Sequence, residues 1–166
     1  RVASDEMDEA IIAYLRKNYN LYVGAKTAEE LKISIGCAYP GLEVRDARLT
    51  MKAKGRDVIT GLPKSVTVSS ADMIKALEEI IGIIIEGIRN TLENAPPELA
   101  ADIVANGIVL AGGGALIKGL DKLIEQQTGI NVVVAENAIE AVAEGTGKSL
   151  DKINNIKRYT MRDRRF

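Results

Sequence analysis

The chain has 166 residues with 46% hydrophobic and 27% charged side chains and a formal net charge of −1, which suits one domain or two small lobes sharing a core and excludes wholesale disorder. A near-neutral balance also disfavours nucleic-acid binding driven by excess positive charge, so no nucleic-acid partner is expected. With no His and a single Cys, at position 37, the chain has no Ser-His-Asp or Cys-His catalysis, no His-ligated metal, no internal disulfide and no thiolate cluster.

One Cys and no secretory signal point to a reducing compartment. The longest apolar run, Ile80 to Ile85, falls far short of the roughly 18–20 residues of a membrane span. The chain opens on Arg1 and not on Met, so it is expected to be part of something longer or a processed form.

Residues 5–17 read as a helix with Ser4 as N-cap, acids in the first turn, and Met7, Ile11, Tyr14, Leu15 and Tyr19 at helical spacing. Thr27-Ala28-Glu29-Glu30 has the spacing of a capping box, predicting a short helix from Thr27 to a stop near Gly36. Over 44–54 the period changes: Leu49, Met51 and Ala53 alternate with polar residues, as in a half-buried strand. Gly55-Arg56-Asp57 reads as a turn, and 58–68 as further strand broken by Gly61 and Pro63. Ser69 and Ser70 cap a long helix over 71–94, apolar nearly all round and so expected to lie buried between layers. Pro96-Pro97 ends it and opens the next helix, which stops at Asn106-Gly107. A buried strand at 108–111, a helix at about 116–127, a strand at 130–134 and a helix at 138–153 then succeed one another, the pattern of an α/β layer on a parallel sheet. The organisation suggests a mixed α+β lobe up to about residue 70 and an α/β lobe from there to 156. Residues 157–166 form a tail with five basic residues and one acid.

The most specific feature is Ile108-Val109-Leu110-Ala111-Gly112-Gly113-Gly114-Ala115-Leu116-Ile117-Lys118-Gly119-Leu120-Asp121. Glycines at the carboxyl end of a parallel strand let a ligand approach the backbone, and a following helix start offers free amides. The same glycines could instead serve only a tight packed turn. A P-loop fails here, because Leu120 and Asp121 stand where Lys and a hydroxyl are needed. A Rossmann fingerprint fails at Ile117, where a third small residue is needed. Glu29 and Lys32 are three apart and share a helix face. They could be a solvated surface pair, or could hydrogen-bond sugar hydroxyls or a base edge. Cys37 reads as a small core or loop residue.

Five strings in order resemble the C-terminal half of MreB, the bacterial actin-like, rod-shape-determining family. They are Asp5-Glu6-Met7-Asp8-Glu9-Ala10-Ile11, Thr27-Ala28-Glu29-Glu30-Leu31-Lys32, Gly61-Leu62-Pro63-Lys64, Pro96-Pro97-Glu98-Leu99-Ala100-Ala101-Asp102-Ile103 and the glycine string from Ile108. The resemblance runs from residue 1 to about 156. It implies an α/β, actin-like (ribonuclease H-like) ATPase domain II fragment with an inserted small α+β subdomain. Residues 4–72 would be the small outer subdomain and 73–156 the inner one, with 157–166 as a basic tail. It carries nucleotide contacts to Glu29, Lys32, Gly112, Gly113, Gly114, Ala115, Leu116 and Ile117. The implied cofactor is ATP or ADP with Mg²⁺, whose phosphate and metal ligands lie mostly outside this chain, so the isolated chain should be inactive as an ATPase. The implied partners are further copies in a filament, the inner membrane surface and the cell-wall elongation machinery, in the cytoplasm at the inner face of the membrane. The basic tail departs most from the family's text; it reads as a solvated end or as a membrane-surface contact. A sugar- or acyl-substrate kinase of the same superfamily is the alternative, though no substrate residues for it stand out. A dinucleotide-binding oxidoreductase module is opposed by Ile117.

Overall fold

The computed structural model describes residues 4–39 and 49–151. The tail 157–166, the strand expected over 44–48 and the last residues of the expected C-terminal helix lie outside them.

Helix α1, Ser4–Tyr19, buries Met7, Ile11 and Leu15 along one stripe, as the spacing predicts. Asn20, with φ 51°, turns the chain into a two-residue strand β1, Leu21–Tyr22. Helix α2 spans Ala25–Ile35. It starts two residues before Thr27, with Gly24 in the extended N-cap position and no side-chain cap, so the expected capping box at Thr27 does not form. The first helical bond runs from the Ala28 amide to the Gly24 carbonyl at 3.1 Å, which places Thr27 inside the helix.

Strands β2, Thr50–Asp57, and β3, Pro63–Ser69, make an antiparallel sheet in the order β1-β2-β3, with Leu21 opposite Asp57 and Ala53 opposite Val66. Gly55-Arg56-Asp57 is therefore strand, not the expected turn. Pairing with β1 extends β2 through these residues, and a Cβ at Gly55 would run into the Tyr22 carbonyl. The reversal falls at 58–60. There the Asp57 carboxylate accepts the amides of Ile59 and Thr60, each at 2.9 Å, and Gly61 adopts φ 74°. Lys64 closes the turn on Asp57 at 2.9 Å.

Helix α3, Ser70–Glu93, is capped by Ser69: its hydroxyl accepts the Asp72 amide, and the Asp72 carboxylate accepts the Ser69 amide. Met73, Ala76, Leu77 and Ile81 are buried. The expectation of burial all along the helix fails beyond Ile81. Ile83 is 46% exposed, and Ile84, Ile85 and Ile88 are half-buried. The layer that would cover this half is not among the described residues. Helix α4, Pro97–Asn106, buries none of its side chains.

Strand β4, Ile108–Leu110, pairs in parallel with β5, Val132–Val134, as the strand–helix succession predicts. Neither face of this two-stranded sheet is fully covered, so β4 is not the buried strand expected: Val109 is exposed and its neighbours are half-buried. After β4 the chain makes a 3₁₀ turn over Gly113–Leu116, and helix α5, Leu120–Thr128, starts four residues later than expected. Gly112 at φ 86° and Gly119 at φ 75° bend the chain on either side, and Lys118 between them bridges to Cys37. Helix α6, Ala141–Asp151, follows a run of turns.

Helix α1 runs antiparallel to α3. Ser4 and Met7 share a cleft with Ile84 and Ile88, whereas Tyr14 donates to Asp72 at 3.1 Å near the start of α3. Beyond α1, the Asn20 carbonyl accepts the Val58 amide at 2.9 Å and the Tyr19 carbonyl accepts Lys64 at 2.7 Å. The 58–62 turn and the α3–α4 junction thus lie at opposite ends of the described structure. One continuous apolar core joins α1, α2, the antiparallel sheet and the first half of α3 to Ile117, Leu120, Ile124 and Val132.

Candidate functional site

The glycine string occupies the carboxyl end of β4. Gly112 needs its positive φ of 86°, and its amide donates to the Ala138 carbonyl. Gly113 and Gly114 have no positive φ, and a Cβ on either would meet nothing within 4 Å. Neither conformation nor packing against the described residues demands glycine there. Leu116 is exposed beside them, while Ala115 and Ile117 are buried. The helix amides expected at the glycines begin instead at Leu120.

A cleft of about 280 Å³ opens beside Gly114, lined by Ala111, Ala115 and Leu110 on one side and by Ser4, Met7, Ile84 and Ile88 on the other. Ser4 links this cleft to α2. The Lys32 ammonium donates to the Ser4 hydroxyl at 2.5 Å and to the Ser4 carbonyl at 3.2 Å, and pairs with the Asp8 carboxylate at 2.8 Å. A second tie runs from the far end of α2, where the Ala38 amide donates to the Lys118 carbonyl at 2.9 Å. Helix α2 is therefore fastened to α1 through Lys32, and the chain just after it is fastened to the loop at Lys118.

Lys32 and Glu29 differ in their surroundings. Lys32 is only 9% exposed and is held by α1; Glu29 is exposed. Helical spacing brought both to one side of α2, but the position of α1, which decides which one is covered, is a tertiary matter. Ser4 and Asp8 are the site residues that sequence reasoning missed. Their signal was present in the Asp5-Glu6-Met7-Asp8 string, where an acid one turn from the helix start offers a partner for a buried ammonium.

At the opposite end of α1 a polar cluster orients the same helix. Burial raises the Asp72 carboxyl, but hydrogen bonds from the Ser69 hydroxyl and amide, and from Tyr19 and Tyr14, outweigh it and hold the group below the usual carboxylate range. Burial first, and then the hydrogen bond to Asp72, push the Tyr14 hydroxyl up to about 12. Among the described residues no three Cys, His, Asp or Glu side chains come together to hold a metal ion, and no helix is long and apolar enough to cross a membrane.

A family model described as MreB/Mbl protein matches residues 1–158. The cell shape-determining protein MreB of Escherichia coli K12 is 46% identical over 154 residues, covering 93% of this chain and 43% of its own length. The cell shape-determining protein Mbl of Bacillus subtilis 168 is 38% identical over 156 residues, covering 94% of this chain and 46% of its own length. The crystal structure of MreB5 of Spiroplasma citri bound to ADP superposes with a TM-score of 0.86 at 36% identity, covering 94% of this chain and 46% of that one. The AMPPNP-bound form of the same protein gives 0.85 at 36% identity, with 95% and 46% covered. The MamK double helical filament, at a TM-score of 0.61, 23% identity and 82% and 43% coverage, shares the fold. The α/β fold is thus actin-like, and the chain spans less than half the length of the curated relatives it matches.

Proposed function

The chain belongs to the MreB/Mbl family, and we propose that it forms the adenosine side of an ATP- or ADP-binding cleft in a cell-shape-determining, actin-like filament protein. The observation that carries this reading is the pair Gly113 and Gly114, whose missing side chains leave open space that nothing among the described residues fills. A flat base and its ribose lying against bare backbone need that space, with the exposed Leu116 giving apolar contact at the edge. Glu29, exposed on α2, would accept a hydrogen bond from a ribose hydroxyl. Lys32, held between Ser4 and Asp8, would fix α2 against α1 and set the cleft wall. Ala115, in the cleft wall, and Ile117 after it would complete the contact. When bound, ATP supplies the phosphate contacts that draw two domains together. In this reading the ligands of Mg²⁺ and of the phosphates lie mostly outside this chain.

In this reading residues 4–72 are the outer subdomain and 73–156 the inner one, with 157–166 as a basic extension. Nucleotide-dependent closure would favour head-to-tail assembly into filaments. These would lie in the cytoplasm at the inner membrane face and organise the cell-wall elongation machinery. The MamK filament supports the assembly part of this reading, and MreB5 crystallised with ADP and AMPPNP supports the nucleotide part. The test is titration of the natural polypeptide carrying this sequence with a fluorescent adenine nucleotide, with a guanine nucleotide as control. Saturable adenine binding that is lost in Gly113→Val, with the melting temperature retained, is expected; binding unaffected by Gly113→Val would overturn the assignment.

A further inference from the structure

The cleft beside Gly114 is walled by aliphatic groups, Met7, Ile84, Ile88 and Leu110 among them. Ser4 is the one lining residue whose side chain carries a hydroxyl, an amide or a charge. Apolar walls hold a flat ring without orienting it, and orientation comes from a few placed polar groups. Within the cleft, Ser4 is therefore the side chain able to fix a ligand's pose.

Three oxygens surround the Lys32 ammonium: the Ser4 hydroxyl at 2.5 Å, the Asp8 carboxylate at 2.8 Å and the Ser4 carbonyl at 3.2 Å. Lys32 is buried by these contacts, whereas Ser4 is exposed. An ammonium has three protons, so a ligand in the cleft meets the Ser4 hydroxyl and not the charge itself. A hydroxyl has one proton and two acceptor lone pairs. Lys32 occupies a lone pair, which turns the Ser4 proton away from the ammonium and polarises the O–H bond into a stronger donor. Asp8, one turn along α1 from Ser4, neutralises the buried charge and holds the ammonium against that oxygen. Carboxylate, ammonium and hydroxyl thus form a chain that ends at the cleft as a fixed donor.

Glu29 lies three residues before Lys32 on α2, shares its helix face and is exposed. A carboxylate only accepts, so a ligand group that suits both residues must accept from Ser4 and donate to Glu29. A hydroxyl does both. Resting on the nucleotide reading above, we propose that Ser4 contacts the ribose directly: its hydroxyl donates to the ribose hydroxyl oxygen whose own proton is hydrogen-bonded to Glu29. Asp8 and Lys32 are positioning residues that act through Ser4. The arrangement selects ribonucleotides over deoxyribonucleotides, because removing that ribose oxygen strands a polarised donor and a carboxylate together.

The experiment titrates the natural polypeptide carrying this sequence with ADP, 2′-deoxy-ADP and 3′-deoxy-ADP. Wild type should bind one of the two deoxy analogues at least about tenfold more weakly than ADP. Ser4→Ala should weaken ADP about fivefold to tenfold and that analogue by less than about twofold, with the melting temperature held because Ser4 is exposed. Ser4→Thr, which restores a hydroxyl, should recover most of the loss. Asp8→Asn keeps the shape of the carboxylate without its charge. It should weaken ADP binding when Ser4 is present and add less than about twofold in the Ser4→Ala background, a coupling that lost stability alone does not give. Equal binding of ADP and both deoxy analogues by wild type would overturn the Ser4 contact while leaving a Gly113-sensitive nucleotide site standing. So would a Ser4→Ala protein that binds ADP normally, or one that weakens ADP and both analogues alike. Full additivity of Asp8→Asn and Ser4→Ala would overturn the positioning chain. A wild type that binds no ADP would remove the nucleotide reading and this contact together.

Discussion

Helix α3 changes surroundings halfway along its length. Up to Ile81 it is packed by α1 and the antiparallel sheet, and Met73, Leu77 and Ile81 are buried. Beyond that point the same aliphatic spacing continues, yet Ile84, Ile85 and Ile88 stay half-exposed and α4 buries nothing. The β1-β2-β3 sheet turns Leu21, Ala53 and Val68 into the core, whereas in the parallel β4-β5 pair Val132 alone is buried. An apolar pattern therefore states how much surface asks for cover, not where the cover comes from. In the first region it comes from within 80 residues of sequence. In the second the described residues do not supply it.

The sharpest way to break this contrast is to truncate one side chain in each region. Leu77→Ala should cost about 2–5 kcal/mol, since a fully buried leucine leaves both lost transfer energy and a cavity. Ile83→Ala, at 46% exposure, should cost less than about 1 kcal/mol. Urea unfolding with the midpoint and slope fitted separately checks both, and equal losses would show that the second region is as tightly covered as the first. Next in size, Asp8→Ala should lower stability by about 3 kcal/mol, because it leaves the buried Lys32 ammonium without its carboxylate. Lys32→Met/Asp8→Ala should recover part of that loss, and no recovery would mean that the pair is not the source. A smaller effect, about 1 kcal/mol, is expected for Ser69→Ala, which removes the cap of α3.

The pH dependence should follow the polar cluster and the turn. Asp57 is held low by the Lys64 hydrogen bond and two turn amides, and Asp72 is held low by its hydrogen bonds despite burial. Their ordinary value is 3.8, so the unfolded chain binds protons more readily below it and stability should fall as pH drops through that range. Tyr14, raised to about 12 from 10.0, has the opposite sense: the native state keeps its proton longer, and stability should fall as pH rises from 10.0 toward 12. Asp57→Asn should flatten the acid limb and Tyr14→Phe the alkaline limb of a melting-temperature profile.

Long, strongly patterned elements were legible in the sequence: α1, α3 with its Ser69 cap, α4 between Pro97 and Gly107, and the parallel β4-β5 pair all form. Failures came where a distant partner decided the local outcome. Gly55 to Asp57 looked like a turn because β1, two residues long, gave no period to pair them with. Thr27 looked like a cap because its box spacing was correct, but Gly24 supplied an extended N-cap three residues ahead of it. At the candidate site the bare backbone at 112–114 and the position of Lys32 on α2 followed from spacing. The Ser4 and Asp8 partners of Lys32 did not, because they depend on the crossing of α1 over α2.

The measurement that bears most directly on the nucleotide cleft is competitive binding of ADP and GDP to the natural polypeptide, compared with Gly113→Val and Gly114→Val. The account predicts saturable ADP binding, weaker GDP binding and a loss of at least about tenfold in ADP affinity in each variant, with melting temperatures held, since a side chain there enters open space in the unliganded chain. ADP binding unchanged by both substitutions would contradict it.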